Sequence, residues 1–126
     1  MDYHVTDQER DAYRRDGAVP LRGVVDRNWL EILEAGVERD ISEPGPFFHG
    51  YVPDNGVGKF HGNIRLWEND SELGRFCASG PLVSLAAQFF ESSKVNLFYD
   101  QLFVKEQGTE NRTRWHNDLP YWPIRG

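Results

Sequence analysis

Residues 95–123 read V-N-L-F-Y-D-Q-L-F-V-K-E-Q-G-T-E-N-R-T-R-W-H-N-D-L-P-Y-W-P, and the fold turns on how the two halves of this run are read. The first half, 95–105, has the length and the aromatic and β-branched content of a strand. Alternation puts Val95, Leu97, Tyr99, Gln101, Phe103 and Lys105 on one face, and Phe98, Leu102 and Val104 on the other with Asn96 and Asp100. Both faces are largely apolar, which predicts a strand buried on both sides and leaves Gln101 in need of a partner. E-Q-G-T-E-N-R then reads as a turn or loop, and T-R-W-H as a second short strand. On that strand His116 and Asp118 project together, Asn117 points away from them, and Trp115 on the other face anchors the strand in the core.

A histidine and an aspartate on one side of a strand offer an imidazole and a carboxylate to one point in space. Those are two ligands of a 2-His-1-carboxylate iron site, which keeps its opposite positions open for substrate and oxygen. The pair alone is weak: an acid two residues after a histidine arises by chance about 0.6 times in a chain of this composition. The other three histidines do not repeat it, since His4 leads to Thr6, His49 to Tyr51 and His61 to Asn63.

Outward from this segment the chain is mostly helical. Thr6 with Glu9 three residues on is a capping box, and the helix it opens stops at Gly17. A-V-P-L-R-G follows as a short extended piece. Asp26 caps a second helix whose Trp29, Ile32, Leu33, Gly36 and Val37 share one face. Residues 42–58 hold prolines and glycines around Phe47, Phe48 and Tyr51 and read as a long loop, a candidate lid. K-F-H-G-N-I-R-L-W-E is extended. Ser71 starts a short helix through Leu73 and Phe76, and Pro81 opens another with Leu82, Leu85, Ala86, Phe89 and Phe90 in one stripe. Helices come first and strands after, which is the order of an α+β domain.

Composition narrows the function classes. The 126 residues, 39% of them hydrophobic, suffice for one small domain. A net charge of -6, with Arg112, Arg114 and Arg125 the nearest thing to a basic cluster, argues against a nucleic-acid partner. Cys77 is the only cysteine, so neither an intramolecular disulfide nor a thiolate metal cluster is possible; it reads as a buried small hydrophobe. No run of apolar residues approaches a membrane span, and the polar, acidic start is not a secretory signal, so a cytoplasmic protein is expected.

The run Y-D-Q-L-F-V-K-E-Q-G at 99–108, T-R-W-H-N-D-L-P-Y-W-P at 113–123, and the opening Y-R-R-D-G-A-V-P-L-R-G-V at 13–24 together resemble the phytanoyl-CoA dioxygenase family. Its members are non-haem iron, 2-oxoglutarate-dependent oxygenases. The resemblance implies a double-stranded β-helix, a cupin-like jelly roll, with helices packed outside. It implies that His116 and Asp118 are Fe(II) ligands, that Gln101 and Thr113 contact 2-oxoglutarate, and that Tyr121 and Trp122 stand at the pocket mouth against substrate. Lys105 reads as a solvated strand end. A small-molecule substrate and molecular oxygen complete the expected partners. Asp118 favours hydroxylation over halogenation, since halogenases of this fold replace that carboxylate with a small residue.

The family also needs a second histidine on a later strand, with a basic residue near it for the far carboxylate of 2-oxoglutarate. Neither is found here. The expectation is therefore a single incomplete domain over 1–126, with helices and loops over 1–94 and the first core strands and ligand motif over 95–126. Such a chain is expected to be the N-terminal part of a longer oxygenase and inactive alone. Two other classes fit the same residues: a non-catalytic binding or scaffold protein on a decayed fold, and a hydrolytic zinc site.

Overall fold

The computed structural model describes residues 3–110, 112–118 and 120–123. Its elements are α1 (Asp7–Asp16), α2 (Arg27–Ser42), β1 (His49–Tyr51), β2 (Phe60–Ile64), α3 (Leu66–Asn69), α4 (Ser71–Ser79), α5 (Pro81–Phe89) and β3 (Gln101–Lys105).

The local signals place the helix starts. Thr6 Oγ1 accepts the N–H of Glu9 at 3.2 Å and Glu9 Oε2 accepts the N–H of Thr6 at 2.8 Å, completing the capping box of α1. Gly17, at φ 75°, closes the helix in the left-handed region that only glycine enters freely. Asp26 accepts the N–H of Trp29 at 2.9 Å to open α2. Pro81 begins α5 at its first turn, where a missing N–H costs nothing. Helix α4 begins at Ser71 as expected, and Asp70 just before it is the cap, its Oδ1 taking the N–H groups of both Glu72 and Leu73. The four-residue α3 has no side-chain cap of its own. Asp100, from the far end of the chain, accepts its Trp67 N–H at 3.1 Å instead.

The helices pack by their apolar stripes. Trp29 of α2 meets Phe76 of α4 edge-on at 5.3 Å. Gly36 is buried against α4, where an added Cβ would lie 2.6 Å from Leu73 Cδ2. Tyr13 of α1 rests on Phe89 of α5 at 5.1 Å, and Gln88 ties the two together through Val5 N at 2.8 Å and Tyr3 O at 2.9 Å. Among the described residues the buried apolar side chains are Val5, Leu66, Leu73, Phe76 and Leu85. In the α5 stripe Leu85 is buried, but Leu82 and Phe90 are half exposed.

Three antiparallel strands in the order β1-β2-β3 form the sheet. Its register sets Gly62 between His49 and Phe103, and Phe60 between Tyr51 and Lys105. This corrects the sequence reading in several places. The loop at 42–58 contains strand β1. Two strands precede α3, so the order is not helices then strands. The expected strand over 95–105 is regular only over Gln101–Lys105, because a strand exists only where a neighbour takes its hydrogen bonds, and β2 is five residues long. Residues 95–100 instead run past α2, α4 and α5 and line a cleft of about 600 Å³ with Leu33, Val37, Phe76 and Leu82. Nor is β3 buried on both sides: Leu102 and Val104 are half-buried, while Gln101, Phe103 and Lys105 are exposed. The architecture is a mixed helical layer and small antiparallel sheet, compatible with α+β; a double-stranded β-helix is not formed by the described strands. None of the described helices is long and apolar enough to cross a membrane.

Candidate metal centre

The segment that carries the His-x-Asp pair is fastened at both ends. At its start the ammonium of Lys105, the last residue of β3, donates to Thr113 Oγ1 at 2.5 Å. At its finish Trp122 packs edge-on against Phe98 at 5.4 Å and at a tilt against Tyr99 at 4.7 Å. A tight turn leads into that contact: the carbonyl of Asp118 accepts the N–H groups of Tyr121 at 2.9 Å and Trp122 at 3.2 Å. Residues 112–118 between these anchors are not a strand, so the expected T-R-W-H strand is absent. Among the described residues no strand of the sheet pairs with it, and Trp115, expected in the core, is fully exposed at 105%.

Even without a strand, His116 and Asp118 face each other. Nδ1 of His116 lies 2.7 Å from the carbonyl oxygen of Arg114, an acceptor only, so the ring proton belongs on Nδ1. Nε2 is then a lone pair, and it sits 3.2 Å from Asp118 Oδ1, also an acceptor. Two acceptors at that distance need a cation between them, either a proton or a metal ion. With a proton there the contact is an ordinary ion pair; without one, both groups are free to ligate one metal ion. A ligating histidine that gives its other N–H to a backbone carbonyl is the usual arrangement at metal sites. The donor set, one imidazole and one carboxylate, suits Fe(II). Both side chains are exposed, at 60% and 73%, so the pair is open to solvent.

The charge of Asp118 is felt nearby. The Tyr99 hydroxyl is held above its ordinary range, first by burial and then by the carboxylate of Asp100, with smaller contributions from Tyr121 and Asp118. Tyr121 itself is 78% exposed and stacks edge-on against Trp122 at 4.9 Å, which is itself half-buried. Cys77, expected to be buried, is half-buried; its thiol is pushed up, first by burial and then by Asp100.

No third ligand joins the pair: among the described residues no group of three His, Cys, Asp or Glu side chains could hold a metal ion. His61 is engaged elsewhere. Its Nε2 is 2.7 Å from Asp40 Oδ2, Phe48 covers its ring at 4.9 Å, and Asn63 bonds Asp40 Oδ1 at 2.7 Å, so the cluster ties β2 to α2. Gln101 stands on the same face of β3 as Lys105, and through Lys105 that face reaches Thr113. Lys105 is exposed at the end of β3, as its reading as a solvated strand end expects, and its bond to Thr113 is the added finding.

The model of the phytanoyl-CoA dioxygenase (PhyH) family matches residues 13–126. The chain belongs to this family. Its members are in general Fe(II)- and 2-oxoglutarate-dependent oxygenases acting on small molecules with molecular oxygen. The match covers α1 from Tyr13 onward, the sheet, and the whole ligand segment. No curated protein and no solved structure matches the chain.

Proposed function

We propose that this chain carries the ligand segment of an Fe(II), 2-oxoglutarate-dependent dioxygenase that hydroxylates a small molecule. The observation that carries the reading is the approach of His116 Nε2 to Asp118 Oδ1 at 3.2 Å, with the histidine's other nitrogen engaged by Arg114. His116 and Asp118 would hold the iron, which supplies oxygen activation driven by oxidation of 2-oxoglutarate. Gln101 and Thr113 contact the co-substrate, and Lys105, bonded to Thr113, places a cation where an anionic co-substrate needs one. Tyr121 and Trp122 form the rim toward substrate. Asp118 keeps the third protein position filled by a carboxylate, which favours hydroxylation.

The remaining histidine and the arginine for the far carboxylate are not among the described residues, and we assign them to further strands that complete a double-stranded β-helix over the sheet. The exposed aromatic side chains of the ligand segment, Trp115 and Tyr121, support that reading, since such a surface is what later strands would cover. On this account residues 1–126 form one incomplete domain and are inactive alone. The test is turnover of 2-oxoglutarate to succinate by a full-length protein containing this chain. Turnover is expected to need added Fe(II) and to be lost in His116→Ala and Asp118→Ala. Iron-independent turnover, or either variant retaining it, would refute the assignment.

A further inference from the structure

The face of the sheet that carries Gln101 and Lys105 is laid out in rows. In one row His49 stands opposite Gly62 and Gly62 opposite Phe103; in the next, Tyr51 stands opposite Phe60 and Phe60 opposite Lys105. Gly62 decides how the first row closes. A Cβ there would lie 2.4 Å from Nε2 of His49, so the imidazole lies across space that any other residue would fill. From that position it meets Phe60 at 6.0 Å and Phe103 at 6.1 Å, both edge-on, while the two phenyl rings lie 5.7 Å apart at 33°. The ammonium of Lys105 stands 5.5 Å from the centre of the Phe60 ring.

Two features give this face a chemistry. Neither ring nitrogen of His49 has a hydrogen-bond partner among the described residues. And although the chain carries a net charge of -6, the paired residues whose side chains share this face include no aspartate or glutamate. An acid-free aromatic surface with one ammonium and one unengaged imidazole favours a flat ring for its faces and edges and an anion for its donors.

We propose that this face is the substrate platform and that His49 is a specificity-determining residue on it, taking the carboxylate of an aromatic carboxylic acid whose ring rests on Phe60 and Phe103. The proposal rests on the oxygenase reading only for calling that molecule the substrate; the binding itself needs no iron.

The test uses the full chain without metal and NMR titration with three probes: 3-phenylpropanoate, 3-phenylpropylamine and 3-cyclohexylpropanoate. The aromatic carboxylate is expected to bind at least about tenfold more tightly than the amine or the cyclohexyl acid, a comparison that needs no variant. His49→Ala and Gly62→Ala are each expected to weaken it about tenfold. In the His49→Ala background Gly62→Ala should add nothing, because the new methyl acts only by displacing the imidazole. A carboxylate held by Lys105 and Thr113 alone would ignore both substitutions. That result, independent effects of the two, or equal binding of the amine would overturn the proposal. Because no metal is present, failure here leaves the His116–Asp118 assignment standing, and loss of that assignment leaves this binding intact.

Discussion

Asp70 joins three partners with two oxygens. Oδ1 caps α4 through the N–H groups of Glu72 and Leu73, and Oδ2 lies 2.8 Å from the Arg39 guanidinium of α2. Burial alone would raise its pKa, but the N–H of Leu73, the Arg39 side chain and the N–H of Glu72 outweigh it and hold the carboxyl below its ordinary range. Glu9, bonded by the Tyr3 hydroxyl and by Thr6, is lowered as well. A depressed carboxyl contributes stability that is complete above its unfolded pKa, near 4, and is lost as pH falls through the lower folded value. Urea unfolding should therefore show constant stability above about pH 5 and a decline below pH 4. Asp70→Ala is expected to cost about 1–2 kcal/mol at neutral pH. Asp70→Asn, still a good cap, should cost less and flatten the acid slope. Equal losses in the two variants would mean that the cap does not matter here. The caps at Thr6 and Asp26 were legible because they depend on neighbours in sequence. The start of α4 at Ser71 was legible too, but the tie of its cap Asp70 to Arg39 was not, because that contact joins residues 31 apart in sequence.

At the scale of elements, the approach of α2 to α4 depends on Gly36. A methyl there meets Leu73 Cδ2 at 2.6 Å and Cγ at 2.9 Å. Gly36→Ala is expected to destabilise by about 1–3 kcal/mol despite its better helix propensity, because the two helices must part or Leu73 must leave its rotamer. Leu73→Ala in the same background should recover part of that loss, so the pair is less than additive in denaturant titration. Additive losses would place the cost elsewhere. The helical face containing Gly36 was readable from its spacing. Strand β1 was not: three residues with Gly50 at the centre, inside a stretch of prolines and glycines, carry no period, and only pairing with β2 makes them a strand. For β3 the sequence overstated the length, since propensity does not supply a hydrogen-bond partner.

The whole molecule is a thin-cored body with much aromatic surface. Phe90 is 62% exposed, Phe98 58% and Trp115 105%, beyond what scattered surface residues explain. If further strands cover this surface, the isolated chain should bind a hydrophobic dye such as anilinonaphthalene sulfonate strongly, and a full-length protein containing it should not. Comparable dye binding by both would argue that the surface is never covered. At the candidate site the spacing of His116 and Asp118 was legible in the sequence, and the two side chains lie 3.2 Å apart. The support of the pair was not legible. The strand expected to orient them is replaced by the Lys105–Thr113 bond and the Trp122 contacts, which join residues too far apart in sequence for periodicity to reveal.

The most direct measurement of the central claim is paramagnetic broadening of the chain's amide resonances on titration with Mn(II), a surrogate for Fe(II) that reports even weak binding. The account predicts broadening centred on His116 and Asp118, extending to the Trp122 indole, sparing Gly17, and abolished by His116→Ala. Broadening spread evenly, or centred on the Asp40 and Asp70 carboxylates, would contradict it.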